Sequence, residues 1–398
     1  MNKTGPGFLI AAAFVGPGTV TTATLAGAHY GYALLWAVLF SIVATMVLQE
    51  MAARLGVATG AGLAEALNKR FSQPLFKWSI ISLIVCAIGI GNAAYEAGNL
   101  TGAAMGLTNL LGGEIQYWSL LLGIAAAAIL YQGKFQTLLT ILTLLVLLMS
   151  LVFLLTFFAS DIQFNQLLSG LFVPSLPSAA TITTIALIGT TVVPYNLFLH
   201  ASLAAKFQTE KSHEQRLSLL RKDGLFAIGL GGLVTIAILS TAAATWFSQG
   251  IAPDMTNIAE QLRPLLGDFA PAFFALGLFA AGLTSAVTAP LATSYALCGA
   301  LGWSVDLQSP RFRMIWLSVI TIGTLLCFLS LKPLTAIMLA QASNGLLLPF
   351  IALCLLWFCN DAKVLGQWRN SGWQNLLGIC IVLLVTGLGL YKVISLFS

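Results

Sequence analysis

Two short stretches that contain proline, Gly16-Pro17-Gly18-Thr19 and Val192-Val193-Pro194-Tyr195, interrupt apolar segments near the start of each half of this 398-residue chain. Inside a bilayer every backbone polar group needs a partner within the protein, so an unwound stretch is tolerated only where it is buried in protein or lines a cavity. Paired interruptions at matching positions of two halves are typical of the central site of a secondary transporter. The two breaks are therefore the candidate functional site.

The composition predicts a polytopic membrane protein. Hydrophobic residues make up 58% of the chain and charged residues only 8%, against roughly 25% charged residues in an ordinary soluble domain. The apolar runs predict eleven spans, most of them near the ~20 residues that a bilayer requires. These spans cover residues 5–30, 32–53, 77–110, 115–131, 135–158, 181–205, 224–248, 269–301, 313–331, 335–358 and 374–397.

The distribution of basic residues predicts the orientation. All Lys and Arg residues except Arg263, Lys332 and Lys392 fall on one side of the predicted spans. The N-terminus is therefore expected in the cytoplasm and the C-terminus outside, in a bacterial inner membrane. The basic residues sit singly or in short clusters, which gives no support for nucleic-acid binding. The densest cluster, within 206–223, is expected to be a solvated cytoplasmic loop.

The order of the spans predicts a single transport domain with an internal repeat. Two groups of five spans, about 5–158 and 181–358, each begin with a broken helix, and an eleventh helix follows at about 374–397. An odd number of spans per group forces the second group into the inverted topology. The sequence does not indicate the oligomeric state.

The predicted pocket between the breaks is polar but uncharged. Helix ends at a break present free carbonyls and amides, which can hold a cation or an anionic group. Thr19 is expected to cap the helix after the first break. The candidate substrate-binding residues are Gly16, Gly18, Thr19, Thr190, Val193 and Tyr195.

Two ionisable residues are candidates for coupling transport to protons. Glu96 lies midway along the third span, where an unpaired carboxylate is costly, and His200 lies one to two turns after the second break. A protonated, hydrogen-bonded carboxyl and a structural histidine are the alternative interpretations. Glu50, in contrast, is expected to pair with Arg54 at the end of the second span.

Motifs along most of the chain resemble the NRAMP family of proton-coupled divalent-metal transporters. The resemblance implies a LeuT-like fold, in which the first and sixth helices are broken. The matching residues are Gly5-Pro6-Gly7-Phe8, Gly31-Tyr32, Leu35-Trp36, Ala52-Ala53-Arg54-Leu55-Gly56, Thr59-Gly60, Pro194, Asn196-Leu197, Leu199-His200, Gly282, Ser285, Thr288, Ala340-Gln341 and Pro349-Phe350.

The departures from the family pattern lie at the breaks. The family's first break reads Asp-Pro-Gly-Asn, and here Gly16 and Thr19 stand for the acidic and amide residues. Its sixth-helix motif reads Met-Pro-His, and here Val193 and Tyr195 replace the first and last residues. Thr190 occupies the place of a residue that offers a backbone carbonyl. Glu96 matches the acidic residue of the third helix.

From these departures we expect an alternating-access transporter that has lost the transition-metal site, carrying a small organic solute such as a carboxylate or an amino acid, with a possible coupling proton. One alternative is transport of a divalent cation, either hydrated Mg²⁺ or Mn²⁺ or Fe²⁺ as in the family. A second alternative is a membrane sensor that does not transport. No catalytic constellation, cofactor site or resident metal site is predicted.

Overall fold

The computed structural model describes residues 15–70, 73–133, 136–207, 212–254, 256–329 and 332–394. Within these ranges the chain consists of helices joined by short connections. The helices are α1 (Pro17–Tyr30), α2 (Leu35–Thr59), α3 (Leu63–Arg70), α4 (Pro74–Ile84), α5 (Gly91–Leu111), α6 (Ile115–Gln132), α7 (Gln136–Ala159), α8 (Phe164–Phe172), α9 (Thr181–Thr191), α10 (Pro194–Lys206), α11 (His213–Trp246), α12 (Ala270–Leu301), α13 (Pro310–Leu326), α14 (Pro333–Asn360) and α15 (Gly372–Ile394).

Within the described residues, each predicted span coincides with a helix or a pair of helices in series. In the described part of the chain, nine helical stretches are long and apolar enough to cross a membrane by length and composition. Helices α1 and α13 have 14 and 17 residues, close to the ~20 residues of a span. Residues 5–14 of the first predicted span lie outside the described residues.

Part of the predicted loop at 206–223 is helical. Helix α11 begins at His213, so its first turns contain most of the basic cluster. Ser212 caps this helix, because its hydroxyl accepts a hydrogen bond from the Gln215 backbone amide while the Gln215 side chain accepts one from the Ser212 amide. This reciprocal arrangement starts a helix in polar sequence, and the hydropathy pattern alone does not reveal it.

The third predicted span contains a local change of helix type. Helices α4 and α5 join through a π-helical turn at Val85–Ile90 without an interruption of the chain direction. One extra residue per turn rotates the positions that follow, and such turns are frequent at functional sites. Tyr95 and Glu96 lie in α5 within two turns of it, and both are fully buried.

Small residues allow the central helices to pack closely. A Cβ atom built on Gly282 of α12 would lie 2.6 Å from the Ala103 Cβ and 2.7 Å from the Asn99 carbonyl oxygen of α5. Helices α9 and α14 meet at Gly189 and Gly345 in the same way. Close backbone approach of this kind is how helices associate where lipid supplies no hydrophobic driving force. These contacts hold the two breaks between α5, α12 and α14.

Candidate functional site

The first break ends at Gly16, and α1 begins at Pro17. Gly16 is the N-cap with an extended backbone (φ −85°, ψ 174°), and no side chain caps the helix. The expectation that Thr19 caps α1 is therefore wrong. Pro17 sets the first helical φ angle and lacks an amide that would need a partner, so the helix begins two residues before Thr19. The segment that precedes Val15 lies outside the described residues.

The second break lies where it was predicted, between α9 and α10. Val192 and Val193 leave the helical region (ψ 75° and 117°), and Pro194 begins α10. The Thr45 hydroxyl of α2 donates to the Thr191 carbonyl at 3.3 Å, which satisfies one of the free carbonyls at the end of α9. The Val193 carbonyl accepts a hydrogen bond from the Asn196 amide at 3.1 Å.

The fold brings the two breaks into direct contact. The Thr19 and Thr190 hydroxyl oxygens lie 2.9 Å apart and share a hydrogen bond. All six candidate substrate-binding residues, from Gly16 to Tyr195, are buried in this structure. The breaks thus form one enclosed polar site rather than two separate kinks.

Gln341 of α14 lies between the two breaks, although the sequence did not single it out as a site residue. A Cβ atom built on Gly18 would lie 2.1 Å from the Gln341 Nε2, and one built on Gly189 would lie 2.1 Å from the Gln341 carbonyl oxygen. Neither the Oε1 nor the Nε2 of this fully buried side chain has a hydrogen-bond partner among the described residues. An amide in an apolar span is itself a signal of function.

Ser285 of α12 completes the polar lining on the side of the first break. Its Oγ lies 3.2 Å from the position that a Cβ on Gly16 would occupy, and the Tyr95 hydroxyl lies 3.9 Å from the same point. The Ser285 hydroxyl is buried without a partner in the described chain. The Tyr95 ring packs edge to face on the Tyr195 ring, with centroids 5.4 Å apart. Gly16 therefore leaves a small space bordered by two hydroxyl groups.

Among the described residues, the groups that line the site are neutral. Its polar side-chain groups are the hydroxyls of Thr19, Thr190, Ser285, Tyr95 and Tyr195 and the Gln341 amide, with backbone carbonyls at the helix ends. Within the described residues, no group of three or more His, Cys, Asp or Glu side chains is placed to hold a metal ion. An unpartnered buried polar atom costs about 1 to 3 kcal/mol, so the Ser285 and Gln341 atoms are expected to bind water or a substrate.

Glu96 lies near this site but faces another helix. Its Oε2 accepts a hydrogen bond from the Asn99 Nδ2 at 3.3 Å, and its Oε1 has no partner among the described residues. The Cγ lies 2.7 Å from the position of a Cβ on Gly323 of α13. The carboxyl group is therefore enclosed between α5 and α13, one residue after Tyr95.

His200 lies on the opposite side of the second break. Its Nδ1 is hydrogen-bonded to the Gln49 Oε1 of α2, and the residue is 3% exposed. The structure therefore places Glu96 and His200 in separate surroundings. The predicted pair of Glu50 and Arg54 is confirmed, with Oε2 and Nη2 3.2 Å apart.

A cavity of about 880 Å³ lies beyond one end of the site. Among its lining residues, those nearest to the breaks along their helices are Leu25 of α1, Thr183 of α9 and Met338 of α14. Asp254 lies at its rim, where hydrogen bonds from Thr256 hold the pKa of the carboxyl below its usual range. Lys332 also lines this cavity, so its charged lining includes groups of both signs.

Comparisons with known proteins agree on the family. The family model described as natural resistance-associated macrophage protein-like matches residues 7–395. The divalent metal cation transporter MntH of Erwinia tasmaniensis is 31% identical, over 98% of this chain and 94% of its own length. The protein of the same name from Bacillus subtilis is 27% identical, over 99% and 92%.

Solved structures show the fold. A manganese transporter of Eremococcus coleocola superposes with a TM-score of 0.75 at 22% identity, covering 98% of this chain and 86% of that one. MhsT in complex with L-phenylalanine gives a TM-score of 0.63 at 16% identity, with 98% of each chain covered. The expectation of a LeuT-like all-helical fold is confirmed.

The curated relatives contradict the expected organic substrate. They are named for divalent metal cations, and they match this chain over nearly its whole length. The expectation gave more weight to the residues at the breaks than to the resemblance along the rest of the chain; the relatives favour the alternative stated with it, transport of a divalent cation.

Proposed function

On the premise that this chain belongs to the natural resistance-associated macrophage protein-like family, we propose that it transports a divalent metal cation across a membrane. The observation that carries the proposal is the enclosed site at the breaks, where buried oxygen atoms converge without hydrogen-bond partners. Hydroxyl, amide and carbonyl oxygens are cation ligands. The relatives named as divalent metal cation transporters support a divalent ion as the substrate.

The ligand types favour a hard ion that keeps part of its hydration shell. Carbonyl and water oxygens suit Mg²⁺ and Mn²⁺, whereas thioether and thiolate sulfur select softer ions. Gly16, Thr19 and Val193 occupy the positions at which the family pattern has a carboxylate, an amide and a thioether. A divalent charge without a counter-charge is costly in a dry site. Retained water molecules reduce that cost, because they separate the ion from the low-dielectric surroundings.

We propose the following division of roles among the site residues. The Thr19 and Thr190 hydroxyls and the carbonyls near Gly16 and Val193 face the ion or its water molecules. Gly18 leaves room for the Gln341 amide, because any larger residue there would overlap it. Tyr195 positions the Tyr95 ring beside Gly16.

Transport by alternating access requires the site to open to one side at a time. This structure encloses the breaks, and the cavity of about 880 Å³ approaches them from one side. The Thr19 and Thr190 hydrogen bond joins α1 to α9 across the site. Because an arriving ion competes for the same hydroxyl oxygens, its binding loosens the direct link between these two helices.

Glu96 and His200 are proposed to couple the cycle to protons. Glu96 is fully buried, and its Oε1 has no hydrogen-bond partner in the described part of the chain; gain of a proton there removes an unfavourable buried charge. His200 contacts α2 through Gln49, so a change in its charge alters the contact between α10 and α2.

The single transport domain comprises the two repeats, 5–158 and 181–358, and the helix at 374–397. Its N-terminus lies in the cytoplasm of a bacterium.

Uptake into liposomes tests this function. Purified protein is reconstituted, and the entry of Mn²⁺ and Mg²⁺ is followed with a trapped fluorescent indicator. We expect saturable uptake of at least one of these ions, weakly inhibited by Zn²⁺ or Cd²⁺. Ser285→Ala should raise the half-saturating concentration about fivefold, the equivalent of one hydrogen bond. Ser318→Ala, on the exposed face of α13, is the matched control and should change nothing.

Two results would contradict the proposal. One is divalent uptake no greater than that of empty liposomes by protein that retains its thermal unfolding transition. The other is equal uptake by the wild type and by the double variant that combines Ser285→Ala and Gln341→Leu. That result would place the ion path elsewhere.

A further inference from the structure

A second cavity, of about 230 Å³, lies between helices α2, α10, α11 and α15 and is separate from the breaks. Its walls are mainly apolar, with polar groups at the two ends. The lining residues are Met46, Val47, Gln49, Glu50, Ala53, His200, Leu220, Arg221, Gly224, Leu225, Ile228 and Gln374.

The cavity exists because α2 and α11 diverge. At Gly232 the helices touch, since a Cβ atom there would lie 2.3 Å from the Ile42 Cδ1. At Gly224, about two turns away on α11, a Cβ atom would meet nothing within 4 Å. The space between the helices therefore widens toward the start of α11, and no side chain of the described residues fills it at Gly224.

The inner end of the cavity reaches the transport machinery. His200 lies there on α10, the second half of the broken helix, with its ring hydrogen-bonded to Gln49. An occupant of this cavity would contact both α10 and α2. It would therefore act on the position of a helix that borders the second break.

The mouth carries an excess of positive charge. Glu50 accepts hydrogen bonds from Arg54, Arg221 and Gln374, so one carboxylate faces two guanidinium groups. Lys222 and Asp223 follow Arg221 on α11, outside the lining of the cavity, and add one charge of each sign nearby. The mouth therefore keeps a net positive charge, and the Arg221 side chain is 45% exposed.

The surroundings of the mouth place it at the surface of a bilayer. Leu225 and Phe226, which follow the charged residues on α11, are 53% and 76% exposed. Trp373, next to Gln374 at the start of α15, is 75% exposed. Exposed leucine and phenylalanine beside tryptophan and basic residues mark the boundary between lipid tails and headgroups.

We propose that this cavity binds an anionic phospholipid, with one acyl chain inside it and the headgroup phosphate near Arg221 and Lys222. The apolar walls suit an acyl chain, and Leu225, which lines the cavity and is 53% exposed, gives the chain an entry path from the bilayer. The positive mouth distinguishes an anionic headgroup from a zwitterionic one. Binding of this lipid does not depend on which ion the protein carries.

Lipid retention tests the proposal. The full-length protein, purified in mild detergent, is supplied with phosphatidylglycerol or phosphatidylcholine, and bound lipid is counted by native mass spectrometry. We expect one phosphatidylglycerol retained more strongly than the rest, and a higher melting temperature with phosphatidylglycerol than with phosphatidylcholine. Lys222→Gln should weaken this binding about fivefold.

A filled cavity provides the sharper variant. Gly224→Leu places a side chain in the open space and should abolish the retained lipid. Gly387→Leu is the matched control, because Gly387 lies on α15, is exposed, and also has nothing within 4 Å of its Cβ position. Equal retention by Gly224→Leu and Gly387→Leu would overturn the proposal, as would equal retention of the two lipids by the wild type. If Gly224→Leu fails to fold, Lys222→Gln tests the proposal instead: unchanged retention of phosphatidylglycerol by this variant would overturn it.

Discussion

Two buried polar regions of this protein differ in how completely their groups are paired. Around Arg54, groups from α2 and from the connection before α15 meet: the guanidinium donates to Glu50, Asn370 and the Trp368 carbonyl, and among the described residues only its Nε lacks a partner. At the breaks, the Ser285 hydroxyl and both ends of the Gln341 amide have no partner in the described chain. Paired groups stabilise the fold, whereas unpaired buried groups reduce stability unless another molecule binds them. Arg54 and its partners therefore belong to the structural scaffold, whereas Ser285 and Gln341 belong to the site.

The largest effect is expected in the paired region. Arg54→Ala removes three hydrogen bonds and leaves Glu50 with fewer partners, which should lower the free energy of unfolding by about 3 kcal/mol. Thermal unfolding in detergent measures this loss. The affinity for the transported ion should stay within twofold in the protein that remains folded. A large loss of affinity at unchanged stability would contradict the distinction between the two regions.

Backbone contact at the site should give the next largest effect. A methyl group on Gly189 would overlap the Gln341 carbonyl oxygen, which cannot move without a shift of α14. Gly189→Ala should therefore destabilise the protein by about 2 kcal/mol through overpacking. Gly387→Ala, on the exposed face of α15, is the control and should be neutral or slightly stabilising. A melting temperature for Gly189→Ala equal to that of the control would show that α9 and α14 are not packed as described.

Removal of one hydroxyl should have a smaller effect on stability and a clear effect on the ion. Thr19→Val keeps the shape of the side chain and removes the bond to Thr190. The apparent affinity for the ion should fall about fivefold, corresponding to about 1 kcal/mol. Thr235→Val serves as the control, since this buried threonine of α11 bonds only its own helix. An equal fall of the apparent ion affinity in both variants would contradict a role of Thr19 in ion binding.

The smallest effect concerns an ion pair outside the spans. Arg70 donates to the Asp361 carboxylate at 2.6 Å and lowers its pKa. A lowered pKa contributes stability that is present above the ordinary aspartate pKa of about 3.9 and is lost as the pH falls through the folded value. The contribution is below about 1 kcal/mol because Arg70 is partly exposed. Asp361→Asn should therefore lower the melting temperature slightly at pH 7 and by less at pH 3. An equal difference at both pH values would exclude a charge effect.

The sequence predicted the spans of the described residues, the second break and the non-helical Gly16 before α1 because they depend on local features: long apolar runs and prolines that remove a backbone donor. The partners of the breaks depend on long-range packing. Gln341 reaches Gly18 only because α14 crosses α1 and α9, and Ser285 faces Gly16 only because α12 packs against α5. Both residues appear among the family matches, but their unpaired state becomes visible only in three dimensions. The cap expected at Thr19 failed because Pro17 starts α1 earlier.

The measurement that tests the central claim most directly is electron paramagnetic resonance of Mn²⁺ bound to the purified protein. Electron–nuclear double resonance on the same sample detects the protons of exchangeable water molecules bound to the ion. If the breaks hold a partly hydrated divalent ion, one saturable Mn²⁺ site should appear, with exchangeable water protons on the ion. Gln341→Leu should remove this site without loss of the folded state. Absence of any saturable site, or a site that persists unchanged in Gln341→Leu, would contradict the account.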